Sequence, residues 1–146
     1  MTVQLATLSE KRPTLIVVGT TVRKPIAVLR HYLASLASQE LPPNTVFKPV
    51  FVVDNMENDA EMLLRDWTAE RNGEVLRGAP APVGDFTDVH PDAHQWSLSA
   101  MQRVGVAKDR ILARARELNA DFVWLCDADL ICDPTTLTSL MSVEAP

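Results

Sequence analysis

The sequence lacks an apolar run long enough to cross a membrane, and its first residues, MTVQLATLSEKRP, lack the apolar core of a secretion signal. It also lacks an excess of positive charge, because its formal net charge is -5 at pH 7. A protein whose main partner is a nucleic acid presents a basic face to the phosphate backbone. We therefore expect no transmembrane segment, no nucleic-acid partner and a cytoplasmic location.

Cysteine is scarce as well, with two residues, Cys126 and Cys132, in a chain of 146. Small secreted scaffolds contain far more cysteine, and metal-binding thiols more usually occur as CxxC pairs, which this spacing is not. Both thiols are expected to be reduced and buried, as free cysteines in proteins commonly are.

Three motifs of nucleotide-binding proteins and hydrolases are missing. The sequence contains no GxxxxGKS/T phosphate loop, no GxGxxG fingerprint and no GxSxG nucleophile elbow. These absences argue against a P-loop NTPase, a dinucleotide-dependent dehydrogenase and an α/β-hydrolase.

What the sequence does contain is a regular alternation of apolar strands and amphipathic helices. Its 47% hydrophobic and 23% charged residues are ordinary for a single globular domain, here residues 1–146. Strands are predicted at residues 14–20, 50–54, 74–78 and 121–127, after a polar leader at 1–13. A Pro/Gly/Asp-rich loop at 78–96 is long enough to be functional or mobile. The pattern predicts an α/β fold, with a mostly parallel, Rossmann-like sheet and helices on both faces in three layers.

Three short polar segments follow the predicted strands. They are TTVRK (residues 20–24), DNMEN (residues 54–58) and DADLICD (residues 127–133). In open α/β sheets, ligands bind beyond the carboxyl ends of the strands. We therefore expect these segments to lie close together and to form the functional site.

The last of these segments carries two carboxylates one residue apart, Asp127 and Asp129. Carboxylates this close repel each other unless a positive group lies between them. A divalent cation would meet this need, and oxygen ligands suit Mg²⁺ or Mn²⁺, which also accept ligands from a substrate diphosphate. The alternative is a solvated acidic loop in which Asp129 binds nothing and Asp133 caps a helix.

Four segments occur in an order typical of one enzyme class: VVGTTVRKP, FVVDN, VAKDRILARA and LCDADL. Together they resemble the N-terminal, nucleotide-sugar-binding half of a GT-A fold glycosyltransferase, closest in style to the family 2 enzymes. The resemblance covers roughly residues 14–141. Two departures are visible, because Gly19 and Val22 stand where that family usually has Pro and Asn. Residues 108–111 also lack the Asn and Gly of its ARNxG segment.

The resemblance implies that the chain binds a UDP- or GDP-sugar together with Mn²⁺ or Mg²⁺ and takes part in hexosyl transfer to an unknown acceptor. Asp54 would accept a hydrogen bond from the base, Asp127 would approach the ribose or the metal, and Asp129 would coordinate the metal. The other substrate-binding residues that it implies are Thr20, Thr21, Arg23, Asn55 and Lys108.

Other interpretations of these residues stay open. Asp54 and Asn55 could form an Asx-turn, and Lys108 could lie on the solvated face of a helix. The segment HPDAH, residues 90–94, brings two histidines together, but its proline argues against the helix that a His-x₃-His zinc site requires. This loop could also be a flap on the substrate side.

Two other functions also stay open. One is a catalytically silent α/β interaction module or a truncated remnant of a glycosyltransferase. The other is a nucleotidyltransferase-like protein, although GTTVRKP lacks the usual Gly- and Arg-rich phosphate loop. The chain ends at Pro146, so the acceptor-binding half and its catalytic base are expected to be absent. A sheet without that half would expose an edge, and we therefore expect a homodimer or a larger homo-oligomer.

Overall fold

The computed structural model describes residues 11–54, 57–79 and 97–143. Within these residues, strands and helices alternate as the sequence pattern predicts. The strands are β1 (Thr14–Val22), β2 (Thr45–Val53), β3 (Glu74–Arg77) and β4 (Phe122–Leu125). The helices are α1 (Ile26–Ala37), α2 (Asn58–Ala69), α3 (Leu98–Glu117) and α4 (Thr136–Ser142). Most of the predicted leader and of the 78–96 loop lies outside the described residues.

The described strands form one sheet in the order β3-β2-β1-β4. Every neighbouring pair is parallel, and β1 pairs with β2 over its whole length, from Thr14 with Thr45 to Val22 with Val53. Parallel neighbours require crossover connections, and α1, α2 and α3 lie in these connections. The predicted α/β fold is confirmed, and the described sheet is wholly rather than mostly parallel.

Helices cover both faces of this sheet. On one face, α1 and α2 enclose the larger part of the core around Tyr32, Phe51 and Leu64, all of which are buried. The other face packs against α3 through six buried residues: Val17, Val50, Val52, Ala107, Ile111 and Ala115. The three α/β/α layers are therefore present as predicted.

Gly19 in β1 allows α3 to lie close to the sheet. A Cβ atom at this position would collide with Cγ2 of Ile111 and lie 3.1 Å from Cδ2 of Leu125. Close approach of this kind is a common reason for glycine inside a strand. Gly19 therefore has a packing role in this chain, whatever residue the resembled family has at that position.

The second strand differs in length from the prediction. It begins at Thr45, so Pro49 lies inside β2 and not before it. A proline has no N–H to donate and is tolerated in a sheet where one side of the strand is unpaired. This condition holds here, because β3 pairs with β2 only from Val50 onward.

No helix within the described ranges is both long and apolar enough to cross a membrane. The longest, α3, has 20 residues, but several lysine and arginine side chains interrupt its sequence. The cytoplasmic location stays a prediction.

Candidate functional site

The order of the described strands reverses at β1, which lies between β2 and β4. From β1 the chain moves outward to β2 and β3, and it then returns to β4 on the opposite side of β1. Ligands of open α/β sheets bind at this kind of topological switch point. The segments after β1, β2 and β4 all begin at this edge, as the sequence predicts.

Two buried polar atoms at this edge belong to Thr21 and Asp54. Thr21 lies two residues after Gly19 and therefore shares the face of β1 that meets α3. Asp54 directly follows β2, where its backbone N–H donates to the carbonyl oxygen of Val22 at 3.0 Å. Among the described residues, neither Oγ1 of Thr21 nor Oδ1 of Asp54 has a hydrogen-bond partner, although both atoms are buried. Buried oxygens of this kind need an explanation, and a ligand is one.

Arg103 of α3 lies beside the Asp54 carboxylate. Its Nη2 atom is 3.9 Å from Oδ2 of Asp54, and each side chain is only 13% exposed. At this distance the guanidinium balances the charge of the carboxylate without a hydrogen bond to it. Ser97 caps α3 by accepting a hydrogen bond from the N–H of Ala100 at 3.1 Å, which places Arg103 in the first turns of the helix.

Thr20 is not available to a ligand through its hydroxyl group. The residue is 2% exposed, its Oγ1 donates to the carbonyl oxygen of Cys126 at 2.7 Å, and it shares a second hydrogen bond with the Tyr32 hydroxyl. Burial raises the pKa of Tyr32, so this hydroxyl stays protonated. The hydroxyl of Thr20 therefore has a structural role, because its hydrogen bonds join β1 to α1 and to the residue before the acidic turn.

The acidic turn is arranged differently from the predicted metal site. Asp127 is exposed, and the N–H of Leu130 donates to its carbonyl oxygen at 3.2 Å. The carboxylate of Asp129 is 50% exposed and lies 2.7 Å from Nζ of Lys24, which is 30% exposed. In this structure an ammonium group of the chain itself is therefore a positive partner of Asp129.

A divalent cation fits the donor set of this turn but would have to compete with Lys24. Within the described ranges, no three side chains of His, Cys, Asp or Glu are grouped as metal ligands. Two carboxylates are nevertheless enough for Mg²⁺ or Mn²⁺ when waters and substrate phosphates complete the shell. Asp127 and Asp129 are the residues that would hold such an ion.

Two thiols flank this turn. Cys126 is 6% exposed, Cys132 is half-buried, and their sulfur atoms are 3.6 Å apart as free cysteines. Burial raises the pKa of the Cys126 thiol to about 12. The expectation of two buried thiols therefore holds for Cys126 and only in part for Cys132.

Of the remaining predicted residues, Arg23 and Lys108 are described, and the others lie outside the described part. Arg23 is exposed directly after β1, and Lys108 is half-buried in α3. Two residues beyond it, Arg110 donates to the carbonyl oxygen of Arg77 at the end of β3. Asn55 and the histidine-containing segment 90–94 lie outside the described residues.

Sequence reasoning missed two charged residues at this edge, Lys24 and Arg103. Each had a usable signal. Lys24 is the last residue of the TTVRK segment, directly before the proline that precedes α1. Arg103 lies between Ala100 and Ala107, which are both buried, so it is a charged residue on the sheet-facing side of the helix.

Solved structures of S. aureus TarS resemble the fold of this chain. Residues 1–349 of S. aureus TarS superpose with a TM-score of 0.61 at 18% identity, covering 88% of this chain and 32% of that one. The chain has a glycosyltransferase fold. A second TarS structure, a complex with UDP, superposes with a TM-score of 0.52 at 21% identity, covering 88% of this chain and 31% of that one.

One sequence relative agrees with this glycosyltransferase fold. A protein of Drosophila pseudoobscura pseudoobscura named glycosyltransferase 25 family member is 25% identical over an alignment that covers 94% of this chain. No family model matches the sequence. The chain spans 22% of the length of that relative and about a third of the TarS 1–349 structures, and it corresponds to the N-terminal half of the fold.

Proposed function

We propose that the chain binds a nucleotide-diphosphate sugar, as the donor-binding part of a glycosyltransferase that uses Mn²⁺ or Mg²⁺. One observation carries this proposal. The buried oxygens of Thr21 and Asp54 lack hydrogen-bond partners among the described residues, and they lie where β1 and β2 end, at the carboxyl edge of the sheet. The same fold has been solved with UDP in S. aureus TarS, which supports a nucleotide as the ligand.

In this proposal Asp54 recognises the base. Its free acceptor oxygen would take a hydrogen bond from an N–H group, such as N3–H of uracil or N1–H of guanine. Charge-assisted hydrogen bonds in water-poor surroundings are among the stronger ones. The guanidinium of Arg103 lies 3.9 Å from the other oxygen of this carboxylate and balances its negative charge. The Thr21 hydroxyl would add a contact to the nucleoside. Arg23 and Asn55 remain candidate substrate-binding residues.

The diphosphate would lie between the end of β1 and the acidic turn. Lys24 neutralises Asp129 in the ligand-free chain, and the same ammonium group could pair with a phosphate once Asp129 turns toward a cation. Asp127 and Asp129 would hold that ion. A bound Mn²⁺ or Mg²⁺ would supply Lewis-acid stabilisation of the charge on the departing diphosphate. Lys108 is a further candidate contact to the base or diphosphate.

The reaction proposed for the complete enzyme is transfer of a hexosyl group to an acceptor. Such a transfer needs a base aimed at the acceptor hydroxyl if it inverts configuration. Donor binding is the part of this reaction that we assign to the chain itself. By holding the nucleotide at its base and its diphosphate, the site would orient the reacting sugar carbon.

Isothermal titration calorimetry of the chain with UDP, GDP and their sugars, with and without Mn²⁺, tests the proposal. We expect the Kd for UDP or GDP to rise at least about tenfold when Mn²⁺ is withheld or when Asp129→Asn is introduced. Asp109→Asn, on the exposed side of α3, is the matched control and should bind as the unchanged chain does. Metal-independent binding that survives Asp129→Asn would remove the cation from the proposal, and no binding of either nucleotide would remove the nucleotide.

We also propose a homodimer that pairs the outer edges of β4. This strand pairs only with β1 among the described strands, and Phe122, Val123 and Leu125 are 53%, 36% and 40% exposed. Unpaired apolar edges are templates for pairing with another chain. Light scattering at micromolar concentration should give twice the monomer mass, and Phe122→Lys should restore the monomer. A monomeric peak for the unchanged chain would contradict the dimer.

A further inference from the structure

We propose that Cys126 and Cys132 form a reversible disulfide that closes the acidic turn into a ring and weakens cation binding there. Their sulfur atoms, 3.6 Å apart, are already in van der Waals contact. A disulfide bond has an S–S length of about 2.05 Å, so side-chain rotation with a small backbone shift would close the gap. The ring would contain residues 126–132 and both candidate metal ligands.

Both ends of the turn are already held by the folded core. The backbone N–H of Cys126 donates to Gly19 at 3.0 Å, and its carbonyl oxygen accepts from Thr20. Directly after Cys132, the carbonyl oxygen of Asp133 accepts a hydrogen bond from Nε2 of Gln39 at 2.8 Å. The two sulfurs are therefore held close together by the fold, and closing the ring does not require unfolding.

The turn between these ends projects into solvent. Asp127, Asp129, Leu130 and Ile131 are exposed, whereas Ala128 is buried. Cys132 is the more accessible sulfur, so it is the one that an external oxidant reaches first.

The oxidant is a small-molecule disulfide. The thiolate of Cys132 attacks one of its sulfurs, forms a mixed disulfide and releases the first thiolate. Cys126, whose sulfur already touches that of Cys132, then attacks the Cys132 sulfur, forms the protein disulfide and gives its proton to the second thiolate as that thiolate leaves. Two protein thiols are oxidised, one small disulfide is reduced to two thiols, and the two protons pass to the released thiolates.

The ring changes what the turn can bind, a step that rests on the proposed function. Asp129 is paired with Lys24 and would have to leave it to share an ion with Asp127. Mg²⁺ demands near-ideal octahedral geometry, so both carboxylates must adjust around it. A closed seven-residue ring opposes this adjustment, and the oxidised chain should therefore bind Mn²⁺ and UDP more weakly than the reduced chain.

Incubation of the folded, full chain with glutathione disulfide, followed by intact mass measurement, tests the disulfide. We expect a loss of about 2 Da, blocked alkylation of both cysteines, and reversal by dithiothreitol. Cys126→Ser is the matched control and should stop at a mixed disulfide on Cys132. A stable glutathione adduct on the unchanged chain, or a loss of 2 Da only in denaturant, would overturn the proposal.

Calorimetry on the oxidised and reduced chains then tests the effect on binding. We expect the Kd for UDP in the presence of Mn²⁺ to be about fivefold or more higher for the oxidised chain, a typical size for coupling between two sites. Equal affinities would overturn the effect of the ring on the site. Absence of UDP binding to both forms would refute the proposed function, and the mass measurement would still decide whether the disulfide forms.

Discussion

Two carboxylates in this chain are each partnered by an arginine of α3, but the two pairs differ in how well they are satisfied. At the start of β3, Arg114 donates two hydrogen bonds to Glu74, at 2.7 and 2.8 Å, and Lys48 adds an ion pair at 3.0 Å. At the end of β2, Arg103 lies 3.9 Å from Asp54, and one oxygen of Asp54 is buried without a hydrogen-bond partner among the described residues.

We propose that the pair at Glu74 is structural and that the pair at Asp54 takes part in binding. Hydrogen bonding to Arg114 lowers the pKa of Glu74 to about 2. The negative charge of Glu74 is therefore paired with positive groups of the fold itself. Asp54 is more buried than Glu74, at 13% against 25% exposed, and yet it is less well satisfied. Among the described residues this oxygen of Asp54 has no hydrogen-bond partner, which supports the proposal that a ligand donates a hydrogen bond to it.

Removing the charge of Asp54 should therefore have the largest effect on binding. In Asp54→Asn, the side chain keeps its size but loses the charge-assisted hydrogen bond to the base, so we expect the UDP affinity to fall about 10- to 100-fold. Glu74→Gln is the matched control, and calorimetry should show no more than about a twofold change in UDP affinity for it. Equal losses of UDP affinity in both variants would mean that the missing hydrogen-bond partner at Asp54 does not mark a binding residue.

Changing the distance between α3 and the sheet should disturb both pairs at once. Gly19→Ala places a methyl group against Ile111, which lies between Arg103 and Arg114 on the helix, and overpacking of this kind costs about 1–3 kcal/mol. Chemical denaturation should show this loss in the free energy of unfolding. Gly105→Ala, where a Cβ would meet nothing within 4 Å, should instead gain up to about 1 kcal/mol. If Gly19→Ala left the free energy of unfolding unchanged, α3 would be able to move away from the sheet without loss of stability.

The pair at Glu74 should reveal itself in the pH dependence of stability. Because the pKa of Glu74 is lower in the folded chain than in the unfolded one, its contribution is present above pH 4.5 and is lost as the pH falls toward 2. Glu74→Gln should cost about 1–2 kcal/mol at pH 7, since the partly exposed pair is worth less than its full shift. The free energies of unfolding of the two proteins should converge as the pH falls to about 2. A constant difference down to pH 2 would assign the loss to packing instead.

The smallest effect is expected at the third pair, between Lys24 and Asp129. Both side chains are partly exposed, so Lys24→Met should change the free energy of unfolding by no more than about 0.5 kcal/mol. Lys48→Met, which removes a partner of Glu74, is the control and should cost more. Thermal denaturation of the two variants, each in low and in high salt, measures these losses. A large loss of stability in Lys24→Met would show that this pair is structural, like the pair at Glu74. It would argue against replacement of Lys24 by a cation beside Asp129.

The order of elements and the edge that carries the site could be predicted from the sequence. Apolar strands that alternate with amphipathic helices have few arrangements other than a covered parallel sheet, and the carboxyl ends of such strands meet at one edge. The position of Pro49 inside β2 could not be predicted in the same way. It depends on where β3 begins to pair, which is a contact between distant segments.

The chain's own sequence determined the fold class and placed Asp54, Asp127 and Asp129 at the ends of their strands, because these properties follow from local periodicity. Only the tertiary structure decided the partners of these residues. It paired Asp129 with Lys24 and Asp54 with Arg103, committed the Thr20 hydroxyl to the core, and brought the sulfurs of Cys126 and Cys132 together. The physical reason is that the charge balance and the hydrogen bonding of a side chain depend on neighbours supplied by other elements, whose distances no local pattern records.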